Sequence, residues 1–173
     1  MKTQGAKYLL EMRAAAALKA ALAEVSTIKV REIRHEPPQP GRDSCLMVCV
    51  DLFGRRHTLN CQIHSDVEPE TLRSTLQGMS AIASQHEDTM PIIIAPYLSP
   101  EAQALCKEKL TGFVDLEGNA RLALGEVFIV KRTLPNRSHH RPDASVEWRP
   151  AAKEKANLHS VTRHRTAAQP VLA

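Results

Sequence analysis

The sequence predicts a mixed α/β domain followed by a tail of different character. Apolar residues spaced three and four apart indicate helices, short apolar or alternating runs indicate strands, and the two kinds of segment follow one another along the chain. This periodicity stops near residue 133. We therefore expect one folded domain over residues 1–132 and a flexible basic tail over residues 133–173.

The composition narrows the class of protein. Hydrophobic residues make up 43% of the chain and charged residues 24%, which is typical of a soluble globular protein. Aromatic residues are only 3%, so we expect an aliphatic core and no binding of single strands by base stacking. No apolar stretch is long enough to span a membrane, and no signal-peptide pattern opens the chain. We expect a cytoplasmic protein without a membrane partner.

The net charge of +4 is unevenly distributed. Residues 1–132 carry equal numbers of basic and acidic side chains, whereas residues 133–173 carry seven basic and three acidic ones. The whole excess therefore lies in the tail, and the domain itself is not a broadly basic nucleic-acid-binding face.

The first elements are an amphipathic helix and an edge strand. The helix is predicted from about Lys7 to Val25, with one apolar face. Residues 28–34 mix apolar and charged side chains, which favours an edge or near-edge strand. Residues 37–41 are rich in proline and predict an extended loop. The apolar face of the helix consists of Leu10, Ala14, Ala17, Leu18, Ala21, Leu22 and Val25.

A hairpin follows. Ser44–Leu52 is almost continuously apolar, which predicts a central strand covered on both faces. We expect the turn at residues 53–56. Residues 58–65 then alternate, with Leu59, Cys61 and Ile63 on one side and Asn60, Gln62 and His64 on the other. The polar side must face either solvent or a site.

The remaining elements alternate between helix and strand. A helix is predicted from Pro69-Glu70 to about His86, and the apolar run of residues 90–95 predicts a parallel strand. Ser99 as N-cap and Pro100 after it predict a helix that ends near residue 112. Two or three short strands then extend to residue 131. Asp115 and Asn119 flank a glycine turn, in which we expect Asn119 to be left-handed.

Helix, three meandering strands, helix and strand is the core order of restriction-endonuclease-like nucleases, a mixed sheet flanked by helices. Such enzymes place an Asp at the start of the second strand and an acid-x-Lys triplet on the third. The carboxylates hold Mg²⁺, which activates a water molecule. One residue separates the acid from the Lys because the strand period of two then puts both on one face.

Two stretches resemble a known family. Residues 94–102 (IAPYLSPEA) and 112–122 (GFVDLEGNARL) are similar to the transcriptional-regulator antitoxins of type IV, or abortive-infection, toxin–antitoxin systems. The resemblance covers roughly residues 44–132. It implies a PD-(D/E)xK-like first part, a winged helix after it, DNA as a partner and a nucleotidyltransferase-like toxin. The segment after Arg132 has no helical periodicity, so we expect the winged helix to be missing.

The resemblance places the site residues one at a time. Asp43 falls at the first metal-binding Asp, Gln62 at the acid of the triplet and His64 at its Lys, with Glu70 as a helper. With a turn about residues 54–55, Gln62 would lie opposite Met47 and His64 opposite Cys45.

Two of these positions depart from the nuclease pattern. Gln62 is neutral and a poor Mg²⁺ ligand, and His64 lacks the reach and permanent charge of Lys. The first hypothesis is therefore a catalytically inactive nucleic-acid- or partner-binding module without a cofactor. The second is a Mg²⁺-dependent endonuclease in which Asp43 holds the metal. The third is an interaction-only or degenerate protein.

Several basic residues are candidates for phosphate contacts. Arg55 and Arg56 lie at the predicted hairpin tip, where a solvated turn is the alternative interpretation. Arg137, Arg141, Arg163 and Arg165 lie in the tail and would bind phosphate non-specifically. The alternative interpretation is a tail that only keeps the chain soluble.

A zinc site at Cys45, Cys49 and His64 is disfavoured. Cysteines four residues apart on a strand are separated by about 13 Å, too far to hold one ion. All four cysteines are expected to be reduced, buried thiols.

Overall fold

The computed structural model describes residues 2–36, 44–84, 86 and 88–133. These residues form three helices and one seven-stranded mixed sheet, which confirms the predicted α/β class. None of the described helices is long and apolar enough to cross a membrane. The elements in chain order are α1 (Lys2–Ala23), β1 (Ile28–Glu36), β2 (Ser44–Leu52), β3 (Arg55–Ile63), α2 (Pro69–Ala83), β4 (Thr89–Ala95), α3 (Pro100–Glu108), β5 (Gly112–Asp115), β6 (Ala120–Leu124) and β7 (Val127–Lys131).

The strands lie side by side in the order in which they occur along the chain. β1, β2 and β3 form an antiparallel meander, β3, β4 and β5 are parallel, and β5, β6 and β7 are antiparallel again. The parallel pairs need crossovers, which α2 and α3 supply. The predicted order of helix, three-strand meander, helix and strand is therefore present, and the fold is consistent with a nuclease-like one.

Helix α1 covers one face of the sheet. Its buried residues Ala14, Leu18, Ala21 and Leu22 belong to the predicted apolar face and pack into a core with the strands beneath them. The helix begins at Lys2, earlier than expected. Its first turns carry no apolar stripe that periodicity could detect, since Tyr8 and Leu9 are exposed.

Helices α2 and α3 cover only the middle of the opposite face. The buried cluster beneath them takes its strand residues from β4 and β5: Ile93, Ala95 and Phe113. This leaves two open regions. The polar flank is the surface of β1–β3 on that side, and the apolar flank is the corresponding surface of β6–β7. The polar flank consists of Glu32, Arg34, Glu36, Cys45, Met47, Cys49, Thr58, Asn60 and Gln62, and the apolar flank of Arg121, Ala123, Phe128 and Val130.

This partial cover corrects the prediction for β2. Leu46, Val48 and Val50 are fully buried under α1, but Cys45 and Cys49 on the other side are only half-buried. The strand was expected to be covered on both faces because cysteine and methionine count as apolar residues. The helices of that face lie over β4 and β5 instead, and expecting all four thiols to be buried was wrong for the same reason.

The hairpin turn is tighter than predicted. Only Phe53 and Gly54 form it, with φ of 49° and 81°, so Arg55 and Arg56 belong to β3. Two positive φ values are typical of a type I′ turn, whose twist matches the flanking strands. The shorter loop moves the register by two residues: Gln62 lies opposite Cys45, and Asn60 lies opposite Met47.

The helix boundaries differ slightly at their C-terminal ends. Ser99 caps α3 as predicted, because its hydroxyl oxygen accepts a hydrogen bond from the Ala102 N–H at 3.1 Å. The helix ends at Glu108, and Leu110 takes a left-handed φ of 54° before β5 begins. Helix α2 ends at Ala83 rather than near His86.

Candidate functional site

The predicted site lies at the end of β3, next to the beginning of β2. Leu59, Cys61 and Ile63 face the α1 core, whereas the side chains of Asn60 and Gln62 are half-buried on the polar flank. The alternation predicted from the sequence is therefore confirmed. His64 follows the strand directly and is only 6% exposed. Its backbone N–H donates to the Ile94 carbonyl at 2.9 Å, which extends the hydrogen bonding between β3 and β4 beyond the last strand residue.

The neighbouring strand adds a second polar contact to this surface. The Cys45 thiol lies opposite Gln62 and donates to the side-chain oxygen of Asn60, two residues before Gln62 on the same face, at 3.3 Å. Thiol, amide and imidazole groups thus line this end of the polar flank. They are hydrogen-bonding groups rather than a set of carboxylates.

Asp43 lies outside the described residues. The first described residue of β2, Ser44, pairs with Ile63 and faces α1, where its hydroxyl donates to the Glu11 carboxylate at 2.5 Å. A pocket of about 340 Å³ adjoins this contact and is lined by Ala6, Lys7, Leu10, Glu11, Ser44, Ile63 and Ser65. Sequence reasoning missed Glu11 because a charge off the apolar stripe of a helix normally faces solvent.

The described residues do not fit Mg²⁺. This ion prefers carboxylate oxygens in octahedral geometry, whereas Gln62 offers a neutral amide and His64 an imidazole nitrogen. Glu70 is exposed in the first turn of α2. Within the described ranges, no three His, Cys, Asp or Glu side chains are grouped so that they could hold a metal ion. This also applies to the zinc arrangement of Cys45, Cys49 and His64.

The thiols in the core are packing groups. Cys61 and Cys106 are buried, and burial raises the pKa of both, that of Cys106 to about 12. A thiol with so high a pKa stays protonated at neutral pH, so it is a poor nucleophile there. None of the four cysteines forms a disulfide bond.

Charge changes sign along the polar flank. Exposed carboxylates Asp66, Glu68 and Glu70 follow His64, so the end with the candidate site is acidic. At the opposite end of β3, Arg56 is exposed on this face, whereas Arg55 beside it is exposed on the face that α1 covers. An anionic ligand would therefore be attracted to the hairpin end and repelled from the other.

The two arginines differ in their surroundings. The Arg55 guanidinium is 76% exposed and lies 3.7 Å from Asp88, a loose ion pair. Arg56 lies opposite Asp51, whose carboxylate accepts a hydrogen bond from Arg31 at 2.6 Å. Both arginines are on the surface, as predicted, although in a strand rather than in the turn. Arg137, Arg141, Arg163 and Arg165 lie outside the described residues, and their role stays a prediction.

Asp115 is a buried carboxylate in the turn between β5 and β6. It accepts hydrogen bonds from the backbone N–H groups of Glu117 and Asn119 and from the Asn119 side chain at 2.8–3.1 Å. Burial raises its pKa, and these bonds oppose the rise. The predicted turn chemistry is confirmed, but Gly118 rather than Asn119 takes the left-handed φ, at 99°. Asn119 instead joins the turn to Thr133, whose N–H donates to its side-chain oxygen.

No protein-family model matches the chain, and no curated protein matches it. Among solved structures, the chain is similar to EndoMS in its apo form, with a TM-score of 0.39 and 13% identity. The match covers 59% of this chain and 45% of that structure, so the chain spans less than half the length of EndoMS. A similarity of this size identifies neither a family nor an activity, and the resemblance to type IV antitoxins stays a prediction.

Proposed function

We propose that this chain is a nucleic-acid-binding module of nuclease-like fold, related to type IV antitoxin regulators, that binds its ligand without cutting it. The observation that carries the proposal is the pair of side chains at the end of β3. Gln62 offers an amide and His64 a largely buried imidazole, at the two positions that the resemblance assigns to the carboxylate and the lysine of a cleaving relative. Such groups form hydrogen bonds but do not assemble a magnesium site.

The basic end of β3 supports phosphate binding. Arg55 and Arg56 are exposed and held on a strand, one on each face of the hairpin, so phosphates on either side of the hairpin tip would meet a guanidinium without ordering a loop. The acidic residues after His64 would keep the phosphates at the hairpin end. In this account a duplex contacts the hairpin, and the basic residues after residue 133 add non-specific affinity.

The resemblance to antitoxin regulators suggests the biological setting. DNA is then the ligand, and a nucleotidyltransferase-like toxin is the protein partner. A toxin of this class encoded beside the gene would support this assignment.

DNA affinity at several salt concentrations tests the proposal. Fluorescence anisotropy with a labelled duplex should show binding by the full chain. In the variant R55A/R56A the slope of log K against log salt should fall by about two, because about one counterion is released per phosphate contact. The variant R13A/K19A is the matched control, since it removes two exposed charges from α1 and should leave the slope unchanged. A slope unaltered in R55A/R56A contradicts the assignment of the hairpin end.

The tail is tested separately with R137A/R141A/R163A/R165A in the full chain. This variant should bind more weakly to all sequences alike. If neither it nor the wild type binds DNA at low salt, only a protein partner remains, and the interaction-only hypothesis replaces the proposal.

A Mg²⁺-dependent nuclease is the second candidate, favoured by the burial of His64 at the strand end where catalysis in such a fold would occur. Incubation with plasmid and Mg²⁺ or Mn²⁺ distinguishes it from the proposal. Cutting that is lost in D43A would establish the nuclease and overturn the inactive assignment.

A further inference from the structure

The outer edge of β7 is open and apolar. Among the described residues β7 is the last strand of the sheet, so the side away from β6 has no partner strand. Phe128 and Val130 are 56% and 50% exposed. The single charge within the strand, Lys131, is paired with Glu24 at 2.7 Å. An exposed apolar edge of this kind is a template for pairing with another strand.

The backbone of β7 is oriented for such pairing. A two-residue turn of Gly125 and Glu126 joins β6 to β7, and Leu124 lies opposite Val127. In such a hairpin the residues that flank the turn are hydrogen-bonded to each other, and the bonding alternates along the ladder. The N–H and C=O groups of Phe128 and Val130 therefore point away from β6, toward the open edge.

The sequence of this edge is complementary to itself. When two copies of residues 126–132 (EVFIVKR) run antiparallel about Ile129, Phe128 of each copy lies opposite Val130 of the other. Glu126 of each then lies opposite Arg132 of the other. Shifting one copy by two residues in either direction keeps the same backbone groups hydrogen-bonded. One shift places Glu126 opposite Val130, and the other places Arg132 opposite Phe128. Only the register centred on Ile129 pairs opposite charges at both ends.

We propose that two copies of this chain associate through antiparallel β7–β7 pairing about Ile129, so that the sheet continues from one copy into the other. The interface is isologous: each copy contributes the same surface, with two aromatic–aliphatic pairs at the centre and a charge pair at either end. Within each copy, the Arg121 guanidinium lies 4.9 Å from the centre of the Phe128 ring and packs against it on the apolar flank.

The other edge of the sheet is unsuited to this role. β1 carries Lys29, Arg31, Glu32 and Arg34, and its ladder is interrupted by a bulge between Val30 and Glu32. Edge charges and bulges oppose pairing with another strand.

Charge reversal tests the register. Sedimentation equilibrium of the full chain should show a dimer that weakens about tenfold in E126R and in R132E, because each change turns both end pairs of the interface into repulsive ones. An equimolar mixture of E126R and R132E should dimerise as the wild type does, because every pair in the mixed dimer is again opposite in charge. The double variant E126R/R132E should also recover. Unfolding can be detected by circular dichroism, and it would not be rescued by mixing.

A matched pair of variants tests which edge of the sheet forms the interface. V130E should abolish the dimer and V30E on β1 should not, although both replace an exposed valine at a sheet edge. A wild type that stays monomeric at about 100 µM overturns the proposal. So do single charge reversals without effect, or a dimer that survives V130E but not V30E.

Discussion

The polar and apolar flanks lie on the same side of one sheet, on either side of α2 and α3, yet they suit different ligands. The polar flank presents half-buried amide and thiol groups between charged residues, whereas the apolar flank presents Phe128 and Val130 with a single guanidinium. Both are open because the two crossover helices cover only β4 and β5. Chain topology therefore determines which surfaces are exposed, and side-chain chemistry determines what each can bind.

The largest expected effect is a difference in stability loss between a substitution in the covered middle of the sheet and one on the polar flank. Ile93 is fully buried beneath α2 and α3, so Ile93→Ala should lower the free energy of unfolding by about 2–5 kcal/mol. Met47→Ala on the polar flank should cost about 1 kcal/mol, since that side chain is only half-buried. Urea denaturation of both variants gives the comparison. Equal losses would mean that the polar flank is covered after all.

A pH effect should come from Asp115, whose turn leads into the strands of the apolar flank. Burial raises the pKa of Asp115 above that of the unfolded chain, so the folded state resists losing the proton. The stability of the wild type relative to Asp115→Asn should therefore fall as the pH rises from about 4 through the folded-state pKa. Thermal unfolding of both proteins from acidic to neutral pH measures this difference. A relative stability that increases over this range would contradict the assigned direction.

The smallest effect compares the two hairpin turns beside the flanks. The β6–β7 turn places Gly125 at a positive φ of 54°, whereas the β2–β3 turn places Phe53 at 49°. An aromatic residue is strained in this conformation, and Asn-Gly is the favoured pair for a type I′ turn. Phe53→Asn should therefore stabilise the chain by about 0.5–1 kcal/mol, as measured by urea denaturation. Phe53→Ala is the control, because it removes the exposed ring and keeps the strain.

The β2–β3 hairpin shows what the sequence could and could not predict. The bounds of β2 follow from an unbroken apolar run, and the faces of β3 follow from strict alternation. The register was missed because Phe53 gives no signal for a left-handed turn. The error amounted to two residues, and a shift of two preserves the face of every side chain. The predicted polar face of Gln62 was therefore correct although its cross-strand neighbour was not.

The surroundings of the candidate site were less predictable, because they depend on contacts between distant parts of the chain. The hydrogen bond between Glu11 and Ser44 joins residues 33 positions apart, and no local pattern indicates it. The half-burial of Cys45 likewise follows from where α2 and α3 cross the sheet. Local periodicity predicts elements and faces, whereas the cover of a face depends on the path of the chain.

Plasmid incubation with Mn²⁺ at low salt tests the central claim most directly, because binding and cutting are read from the same gel. We expect retarded, intact plasmid for the wild type and for D43A alike, with the retardation lost as salt is raised. Cleaved plasmid in the wild-type lane with intact plasmid in the D43A lane would contradict it.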